Sequence, residues 1–483
     1  MRGMSPLNIK LLRDIWHMRG QAIAVGIIVA CGVAIMVMAL GTLSTLSASR
    51  DAYYERYRFA DVFASVRRAP ESAAARLREI DGVQTVETRI VRLVILRIEN
   101  VDEPANAQIV SIPDDSDSIL NKIVLFHGRY PEARSPDEII ISNAFAEANE
   151  LQPGDAIEAV MNGRLRTLTI VGIGDSPEFI YALGPGTLLP DDRLFGIFWM
   201  RRRALEAAFD LDGAFNNVSL TVAPGTDTAT VIDQVDDVLA PYGGTGAFDR
   251  PDQLSNAFVD SEMNQLKTMA QIIPAVFLVV SAVLIHSILN RLIQTERQQI
   301  GLIKAFGYSR SEITWHYLKF AIAITTGGVL AGFALGFVLQ NLITNLYAET
   351  FRIPDLTWRV DAFALVAGSV AALGSAIVGS MSAALGAAKL SPAEAMQPAP
   401  PINYQQSWLR YVLQMRWLDE PTRLILRHIF RFPARTAANL FGIAAAVTLL
   451  VGTLFSFDAI DDMIDQMFFR TNAHDAAVTF FEA

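Results

Sequence analysis

The sequence has little charge and almost no cysteine. Of its 483 residues 19% are charged, against about 25% in ordinary soluble domains, and 52% are hydrophobic. The single cysteine, Cys31, excludes a disulfide framework and a cysteine-based zinc site within the chain. The net charge of -10 excludes the basic excess expected of a protein that binds nucleic acid. These shortages favour a membrane protein with a large soluble part.

Signatures of enzymes are also missing. No Gly-x-x-x-x-Gly-Lys-Ser/Thr phosphate loop occurs, so the chain does not bind ATP in that way. The six histidines show no metal-ligand spacing, and Gly172–Ser176 lacks the pattern of a serine nucleophile. His286 lies in an apolar run, where an ionisable residue invites a functional hypothesis, although helix packing explains it as well. We therefore expect no catalytic, cofactor-binding or metal-binding site in this chain.

Five uncharged stretches are long enough to cross a bilayer, which takes roughly 20 apolar residues. They are Gln21–Ser49, Thr268–Asn290, Phe320–Ala348, Ala362–Ala388 and Thr436–Phe457. A signal peptide is the alternative for the first stretch. It exceeds the apolar core of such peptides, about 7–15 residues, and no clear cleavage site follows a short core, so we interpret it as a retained span.

Basic residues set the predicted orientation. Arg and Lys cluster before the first stretch, between the second and third, and between the fourth and fifth, whereas acidic residues follow the fifth. This alternation predicts a multi-pass protein of the inner (plasma) membrane with a cytoplasmic N-terminus. The segment 50–267, in which acidic residues outnumber basic ones, then lies outside.

That outer segment mixes helix-like and strand-like runs, which predicts an α+β module of two lobes. Thr228–Leu239 has a helical pattern. Asn162-Gly163 separates two strand-like runs and is a strong signal for a tight hairpin turn. Val83–Glu99 alternates apolar and polar residues like a hairpin or one long strand.

A charged segment rich in helix-forming residues separates the second and third apolar stretches. Ile300, Ile303 and Phe306 recur at three-residue spacing, and Gly307 is a plausible helix C-cap. The segment 294–311 therefore predicts a short amphipathic helix at the cytoplasmic surface. Such a helix rests on lipid or docks a cytosolic partner, and periodicity alone does not choose between the two.

Small residues recur in the third and fourth apolar stretches. Gly328, Gly332 and Gly336 are four residues apart, and Gly379 belongs to a second set of small residues. Because small side chains let helices approach closely in lipid, we assign these glycines to helix packing.

The surroundings of the fifth apolar stretch resemble those of the first. An ungapped alignment pairs Leu12-Arg13 with Leu426-Arg427, and both regions run from a basic lead-in through a span to an acidic segment. Two unrelated spans with similar flanks are the alternative. If the repeat is real, the chain ends just inside a second copy, either as a fragment of a longer protein or with its second half missing.

Together these observations predict an α-helical membrane protein with a large extracytoplasmic α+β domain and five transmembrane helices. Its predicted parts, in chain order, are an amphipathic elbow helix (1–20), a first span (21–49), the α+β domain (50–267), a three-span core (268–388), a cytoplasmic linker with a second elbow helix (389–435), a fifth span (436–457) and the start of a second outer domain (458–483).

This organisation and one motif resemble the FtsX/MacB/LolC-E type of ABC transporter permease. The run from Glu296 to Gly307 is similar to the family's charged motif, with a Glu-Arg pair, an Ile-Gly pair, a basic residue and a second glycine. Leu390–Met396 is similar to the Pro-x-Glu-Ala segment after the family's last span, and Pro153–Asp155 resembles a hairpin of its outer domain. Gln299 stands where the family often has Glu, which puts a charge contact to the ATPase in doubt.

The resemblance implies that the charged segment is a coupling helix, which would sit in a groove of a separate cytosolic ABC ATP-binding subunit. Its implied coupling residues are Glu296, Arg297, Ile300, Gly301, Ile303, Lys304, Phe306 and Gly307. The chain itself would not be catalytic, because the ATPase activity belongs to the partner.

The resemblance further implies mechanical transmission from the ATPase to the outer domain, for export or extraction of a lipid, a lipoprotein or a hydrophobic small molecule. A periplasmic adaptor and membrane lipids are further expected partners, and nucleic acid is not. The alternative function is a transmembrane signalling scaffold that activates a periplasmic hydrolase. An independent membrane enzyme has no supporting constellation of residues.

Overall fold

The computed structural model describes residues 6–98, 105–187, 189–351, 353–354, 356, 358–393, 419 and 433–466. Its helices are α1 (Pro6–His17), α2 (Arg19–Arg56), α3 (Glu71–Arg78), α4 (Asn143–Ala148), α5 (Arg202–Phe209), α6 (Thr228–Leu239), α7 (Leu254–Thr295), α8 (Arg297–Ala305), α9 (Arg310–Thr350), α10 (Ala362–Lys389) and α11 (Pro433–Asp465). Its strands are β1 (Val62–Pro70), β2 (Val83–Arg89), β3 (Val91–Arg97), β4 (Ala105–Ile112), β5 (Val124–Gly128), β6 (Glu138–Ile141), β7 (Ala156–Met161), β8 (Arg164–Asp175), β9 (Phe195–Arg201), β10 (Ala214–Val222) and β11 (Gly244–Asp249).

The chain divides into two compact units. The helical unit consists of Met1–Leu40, Thr268–Gln340 and Asp361–Ala483, and the α+β unit consists of Gly41–Lys267 and Asn341–Val360. The predicted second elbow helix, most of the linker 389–435 and the residues after 466 lie outside the part of the chain that the structure describes.

Within the part of the chain that the structure describes, five helices are long and apolar enough to cross a membrane, and each overlaps one predicted apolar stretch. They are Arg19–Arg56, Leu254–Thr295, Arg310–Ala348, Ala362–Lys389 and Leu440–Asp465. The predicted fold class, a helical membrane protein with five such helices and an α+β domain, is confirmed. The first three have 38 to 42 residues, well beyond the roughly 20 that a bilayer requires.

The helical unit has one apolar core, built mainly by α2, α7, α9 and α10. Val25, Val29, Val33 and Val37 recur every fourth residue on α2, which places them on one face of that helix, and all four are buried. α10 contributes alanines to the same core, among them Ala376. The small side chains of α10 and the branched side chains of α2 therefore meet in one packed layer.

One part of the α+β unit is an antiparallel sheet with the strand order β11-β1-β10-β2. The helices α3 and α6 pack against this sheet through Leu77, Val231 and Val235, which are fully or almost fully buried. The predicted helix Thr228–Leu239 has the predicted bounds.

The other part of the α+β unit is a seven-stranded sheet in the order β5-β8-β6-β9-β4-β3-β7. Because β7 also pairs with β8, six of these strands close into a ring. The β7–β8 hairpin turns at Asn162 and Gly163, whose φ angles of +50° and +74° suit a tight turn of this kind. The predicted hairpin is thus confirmed.

The prediction for Val83–Glu99, a hairpin or one long strand, is wrong. β2 pairs with β10 in the four-stranded sheet, whereas β3 pairs with β4 and β7 in the seven-stranded sheet. The chain crosses from one sheet to the other at Ile90, whose backbone N–H donates to Ser111 Oγ at 2.8 Å. Alternating hydrophobicity indicates extended chain but does not identify the strand's partner, so the crossing leaves no local signal.

Inside the α+β unit, aromatic side chains hold the ends of long helices against the sheets. Tyr53 and Tyr54 of α2, Val259 of α7 and Phe351 after α9 share a buried cluster with Phe63 of β1. Polar contacts reinforce this cluster, because the Tyr54 hydroxyl is 2.9 Å from Asn256 Oδ1 and Arg50 pairs with Asp260. These helix ends are therefore part of the α+β unit's own core.

The α+β unit also contains a buried ion pair. Arg89, at the end of β2, donates to both carboxylate oxygens of Glu178 at 2.5 and 2.9 Å and to Asn217 Oδ1 on β10. Asn121 Nδ2 donates to the same carboxylate at 2.8 Å. Burial lowers the pKa of Arg89, but the Glu178 carboxylate more than offsets this and holds the pKa above its usual value. Removing one partner would leave the other charge buried without compensation.

We expect Arg89→Met to lower the thermal unfolding midpoint of the α+β unit on the order of 10 °C, because a broken buried pair costs about 3–5 kcal/mol. The measurement is detergent-solubilised unfolding followed by tryptophan fluorescence, in which buried Trp199 reports on this unit. The matched control is Arg97→Met, because the Arg97–Glu158 pair is exposed and 3.7 Å long. Equal midpoints for the two variants would contradict the prediction.

Candidate functional site

The charged segment between α7 and α9 contains the nine-residue helix α8. The chain leaves α7 at Glu296, whose N–H still donates to the Leu292 carbonyl at 2.9 Å. α8 stops before Gly307, whose φ of +92° is a left-handed conformation that glycine adopts without a steric penalty. Glycine at this position therefore ends α8 and redirects the chain towards α9.

The two faces of α8 have different surroundings. Ile300 and Gly301 are buried, and Ile300 lies beside Ile313 and Tyr317 of α9. On the other face, Leu302 is 49% exposed and Phe306 is 76% exposed. An aromatic side chain this exposed, next to an exposed leucine, is typical of a surface that binds a partner.

An ion-pair network holds the beginning of α8 against α1. Lys10 Nζ lies 2.5 Å from a Glu296 carboxylate oxygen and 2.5 Å from an Asp14 carboxylate oxygen, and all three side chains are largely buried. The Tyr317 hydroxyl lies 3.5 Å from the same Glu296 carboxylate. Since buried charges are tolerated when they are paired and hydrogen-bonded, this network fixes the start of α8 to α1.

The end of α8 is held by the C-terminus of α10. Lys304 Nζ donates to the Ala388 carbonyl at 2.5 Å and also to the Leu390 carbonyl. The last carbonyls of a helix have no partner within the helix and carry a partial negative charge, so an ammonium group satisfies both needs. Burial, followed by the nearby charge of Arg310, lowers the pKa of Lys304.

The predicted coupling residues thus fall into four groups. Glu296 and Lys304 bind other helices of their own unit, and Ile300 and Gly301 are buried. The side chains of Arg297 and Ile303 are half-buried, whereas Phe306 and Gly307 are exposed.

Sequence reasoning missed Lys10, Asp14 and the carbonyls of Ala388 and Leu390 as partners of this segment. The Lys10–Asp14 spacing of four residues is a recognisable helix ion pair, but nothing local links it to Glu296. It also did not include Leu302 among the predicted coupling residues, although Leu302 is an exposed apolar side chain of α8.

The predicted packing glycines lie at close helix contacts. A Cβ atom on Gly328, Gly332 or Gly336 would come within 2.8–2.9 Å of α2, at the Gly26 carbonyl or the valines of its buried face. A Cβ on Gly379 would lie 2.4 Å from the Ala282 carbonyl of α7. At each of these four positions any larger residue would force the helices apart.

His286 takes part in the contact between α7 and α10. Its Nδ1 lies 3.1 Å from the Gly379 carbonyl and 3.0 Å from Ser382 Oγ, and its Nε2 lies 2.7 Å from Asn290 Nδ2. Both ring nitrogens therefore have polar neighbours within the bundle. This arrangement matches the packing role that the sequence offered for His286.

Two family descriptions match the chain. The MacB-like periplasmic core domain matches residues 22–238, and the FtsX-like permease C-terminal domain matches residues 271–392. The second match contains more than half of α7 and all of α8, α9 and α10.

Similarity to individual proteins is low. An uncharacterized ABC transporter permease, MG064 of Mycoplasma genitalium, is 21% identical over 208 residues, which are 39% of this chain and 15% of that protein. The periplasmic region of MacB from Actinobacillus actinomycetemcomitans superimposes with a TM-score of 0.27 at 9% identity, covering 42% of this chain and 92% of that one. The extracellular domain of the noncanonic ABC-type transporter YknZ from Gram-positive bacteria has a TM-score of 0.26 at 15% identity, covering 39% and 98%.

The fold and the site define a class: a multi-pass membrane protein with a large α+β domain and a short surface helix between two of its spans. Together the two matching families cover most of the chain. The chain therefore combines a MacB-like periplasmic core domain with an FtsX-like permease C-terminal domain.

We expect Lys304→Met to lower the thermal unfolding midpoint by a few degrees, because it removes hydrogen bonds from a charged group to the last carbonyls of α10, which contribute about 1.5–3 kcal/mol. The measurement is fluorescence-detected unfolding in detergent. Lys389→Met is the matched control, since the Lys389 side chain is exposed at the same end of α10. An equal or larger effect of the control would show that the position of the Lys304 ammonium group is unimportant.

Proposed function

We propose that this chain is the transmembrane subunit of an ABC complex and that α8 is its coupling helix. A separate cytosolic ATP-binding subunit binds α8. The ATP-driven movement of that subunit is transmitted mechanically to the α+β domain. The complex then exports or extracts an amphiphile such as a lipid, a lipoprotein or a hydrophobic small molecule. A periplasmic adaptor that binds the α+β domain is a further proposed partner.

The observation that carries this proposal is the pair of exposed apolar side chains on a helix that is held at both ends. Leu302 and Phe306 offer an apolar surface, while the Glu296–Lys10 pair and the Lys304 hydrogen bonds anchor the same helix to α1 and α10. A loosely attached surface helix would yield when pulled. Anchorage at both ends supports the transfer of force into the helical unit.

The course of the long helices supports mechanical transmission. α2, α7 and α9 each contribute residues to the helical unit and to the α+β unit. Within the α+β unit their ends are packed into the cluster that includes Tyr54, Phe63 and Val259. A helix carries force best where its backbone hydrogen bonds are uninterrupted. α2 and α9 contain no proline, whereas Pro274 removes one backbone donor from the interior of α7, so α2 and α9 are the better suited to transmit force along their length.

We also propose that the chain lies in the cell inner (plasma) membrane with its N-terminus and α8 in the cytoplasm. The support is the basic residues that flank the spans on that side and the acidic excess of the α+β domain. In this orientation the exposed face of α8 is accessible to a cytosolic subunit.

We expect Phe306→Asp to abolish or strongly reduce association with the ATP-binding subunit, because it places a carboxylate in an apolar contact. The full permease is co-expressed with a candidate ATP-binding subunit, purified and reconstituted in lipid, and both co-purification and ATP hydrolysis are measured. Leu12→Asp is the matched control, since Leu12 is an exposed leucine of α1 in the same unit. Unchanged co-purification of Phe306→Asp at normal expression would refute the docking role of α8.

Lys304→Met serves as a second variant in the same experiment. Its side chain faces α10 and leaves the exposed surface intact, so we expect association to persist while coupled ATP hydrolysis falls. The signalling-scaffold alternative also predicts docking at α8 and is distinguished at the α+β domain. Capture of a hydrolase there, rather than of an amphiphile or an adaptor, would favour the scaffold.

The proposed orientation predicts the labelling of introduced cysteines after Cys31 has been replaced by serine. We expect a cysteine at exposed Ser116 to react with an impermeant maleimide on intact spheroplasts, and one at exposed Gln299 to react only after the membrane is permeabilised. The opposite pattern would reverse the topology.

A further inference from the structure

A groove of about 440 Å³ runs between the first turns of α2 and the middle of α9 in the helical unit. Its walls are apolar, with Ile23 and Ile27 on α2 and Ile324 on α9 among them. The volume lies within the roughly 300–1,000 Å³ of sites that bind small molecules. Ile23 and Ile27 are 59% and 57% exposed, so the groove opens at the surface of the helical unit. Because α2 and α9 are candidate spans, lipid would cover this surface in a membrane.

The groove exists because the contact between α2 and α9 ends at one side. From Gly328 to Gly336 the two helices touch so closely that a Cβ on these glycines would clash. At the neighbouring Gly26 and Gly327, which line the groove, a Cβ would meet no atom within 4 Å. The absence of side chains at these two positions therefore creates empty space and is not needed for the helices to approach.

One end of the groove carries an aromatic side chain and a positive charge. Trp16 is 72% exposed, and the Arg19 guanidinium lies 5.5 Å from the centre of its ring. Among the residues that the structure describes, no carboxylate forms an ion pair with Arg19. Trp and Arg at the end of a span are typical of the membrane interface, where lipid phosphates lie.

We propose that this groove binds an anionic glycerophospholipid. One acyl chain lies between α2 and α9 along the glycine-lined floor, and the phosphate accepts hydrogen bonds from Arg19 beside the Trp16 indole. The apolar walls of the groove would contact the acyl chain. The Arg19 guanidinium, which pairs with no carboxylate of the described residues, would bind the negative charge of the head group. The site is distinct from the exposed face of α8 and does not depend on the ATP-binding subunit.

The test is quenching of Trp16 fluorescence by brominated lipids in vesicles that mix phosphatidylglycerol with phosphatidylcholine. The full chain has six tryptophans, so the signal of Trp16 is taken as the difference from a Trp16→Phe variant. We expect brominated phosphatidylglycerol to be preferred about fivefold over brominated phosphatidylcholine, which corresponds to the roughly 1 kcal/mol that one basic residue contributes at an anionic membrane surface. Equal quenching by the two lipids would overturn the proposal.

Three further variants separate the charge from the groove. Arg19→Gln is expected to abolish the preference and Arg19→Lys to retain most of it, because only the first removes the charge. Gly327→Leu fills the groove and is expected to reduce quenching by phosphatidylglycerol at least twofold.

Gly374→Leu is the matched control for the filled groove. Gly374 lies on α10, where a Cβ also meets no atom within 4 Å, so the same bulk is added outside the groove. This control is expected to behave like the native chain. If Gly327→Leu and Gly374→Leu are quenched equally, lipid contacts Trp16 without entering the groove, and the proposal is wrong.

Discussion

The close contact between α2 and α9 is the constraint on which the helical unit depends. Over three successive glycines of α9, from Gly328 to Gly336, the backbone lies against the valine face of α2. In lipid there is no hydrophobic force between helices, so close packing of surfaces has to supply the attraction. Glycine makes this possible because the missing side chain lets the opposing valines reach the backbone. Where the contact stops, the groove beside Gly26 and Gly327 begins.

The anchorage of α8 uses a different kind of interaction. The buried charges at Lys10, Glu296 and Asp14 are costly to remove from water, and a salt bridge of this kind is weak evidence for stability. The network instead fixes the position of α8, because ionic hydrogen bonds are directional and hold the start of α8 against α1. Lys304 does the same at the C-terminus of α10. α8 is thus placed by these polar contacts and by buried Ile300, whereas Leu302 and Phe306 remain exposed.

The sequence predicted the features that depend on local pattern. The five candidate spans, the turn at Asn162-Gly163 and the helix Thr228–Leu239 follow from composition, turn chemistry and periodicity. Sequence-based prediction failed where two interacting residues or strands are far apart in the chain. The strands on either side of Ile90 join different sheets, and Lys10 binds a residue 286 positions away. Neither pairing could be recognised from the residues nearby. The family resemblance indicated which residues would take part in coupling, but it did not distinguish the buried ones from the exposed ones.

The separation of inward-facing from outward-facing residues defines how the proposed transmission of force would proceed. A partner that touches Phe306 acts on a helix whose end is bonded to the carbonyls of α10 and whose next residues lead directly into α9. Displacement of α8 must therefore either break the Lys304 hydrogen bonds or move α10 with it. It would also shift the first turn of α9, because only the four residues from Phe306 to Ser309 connect the two helices. In the proposed mechanism, a short helix that is held at both ends would pass a push on to its neighbours, because the contacts at its two ends limit its own movement.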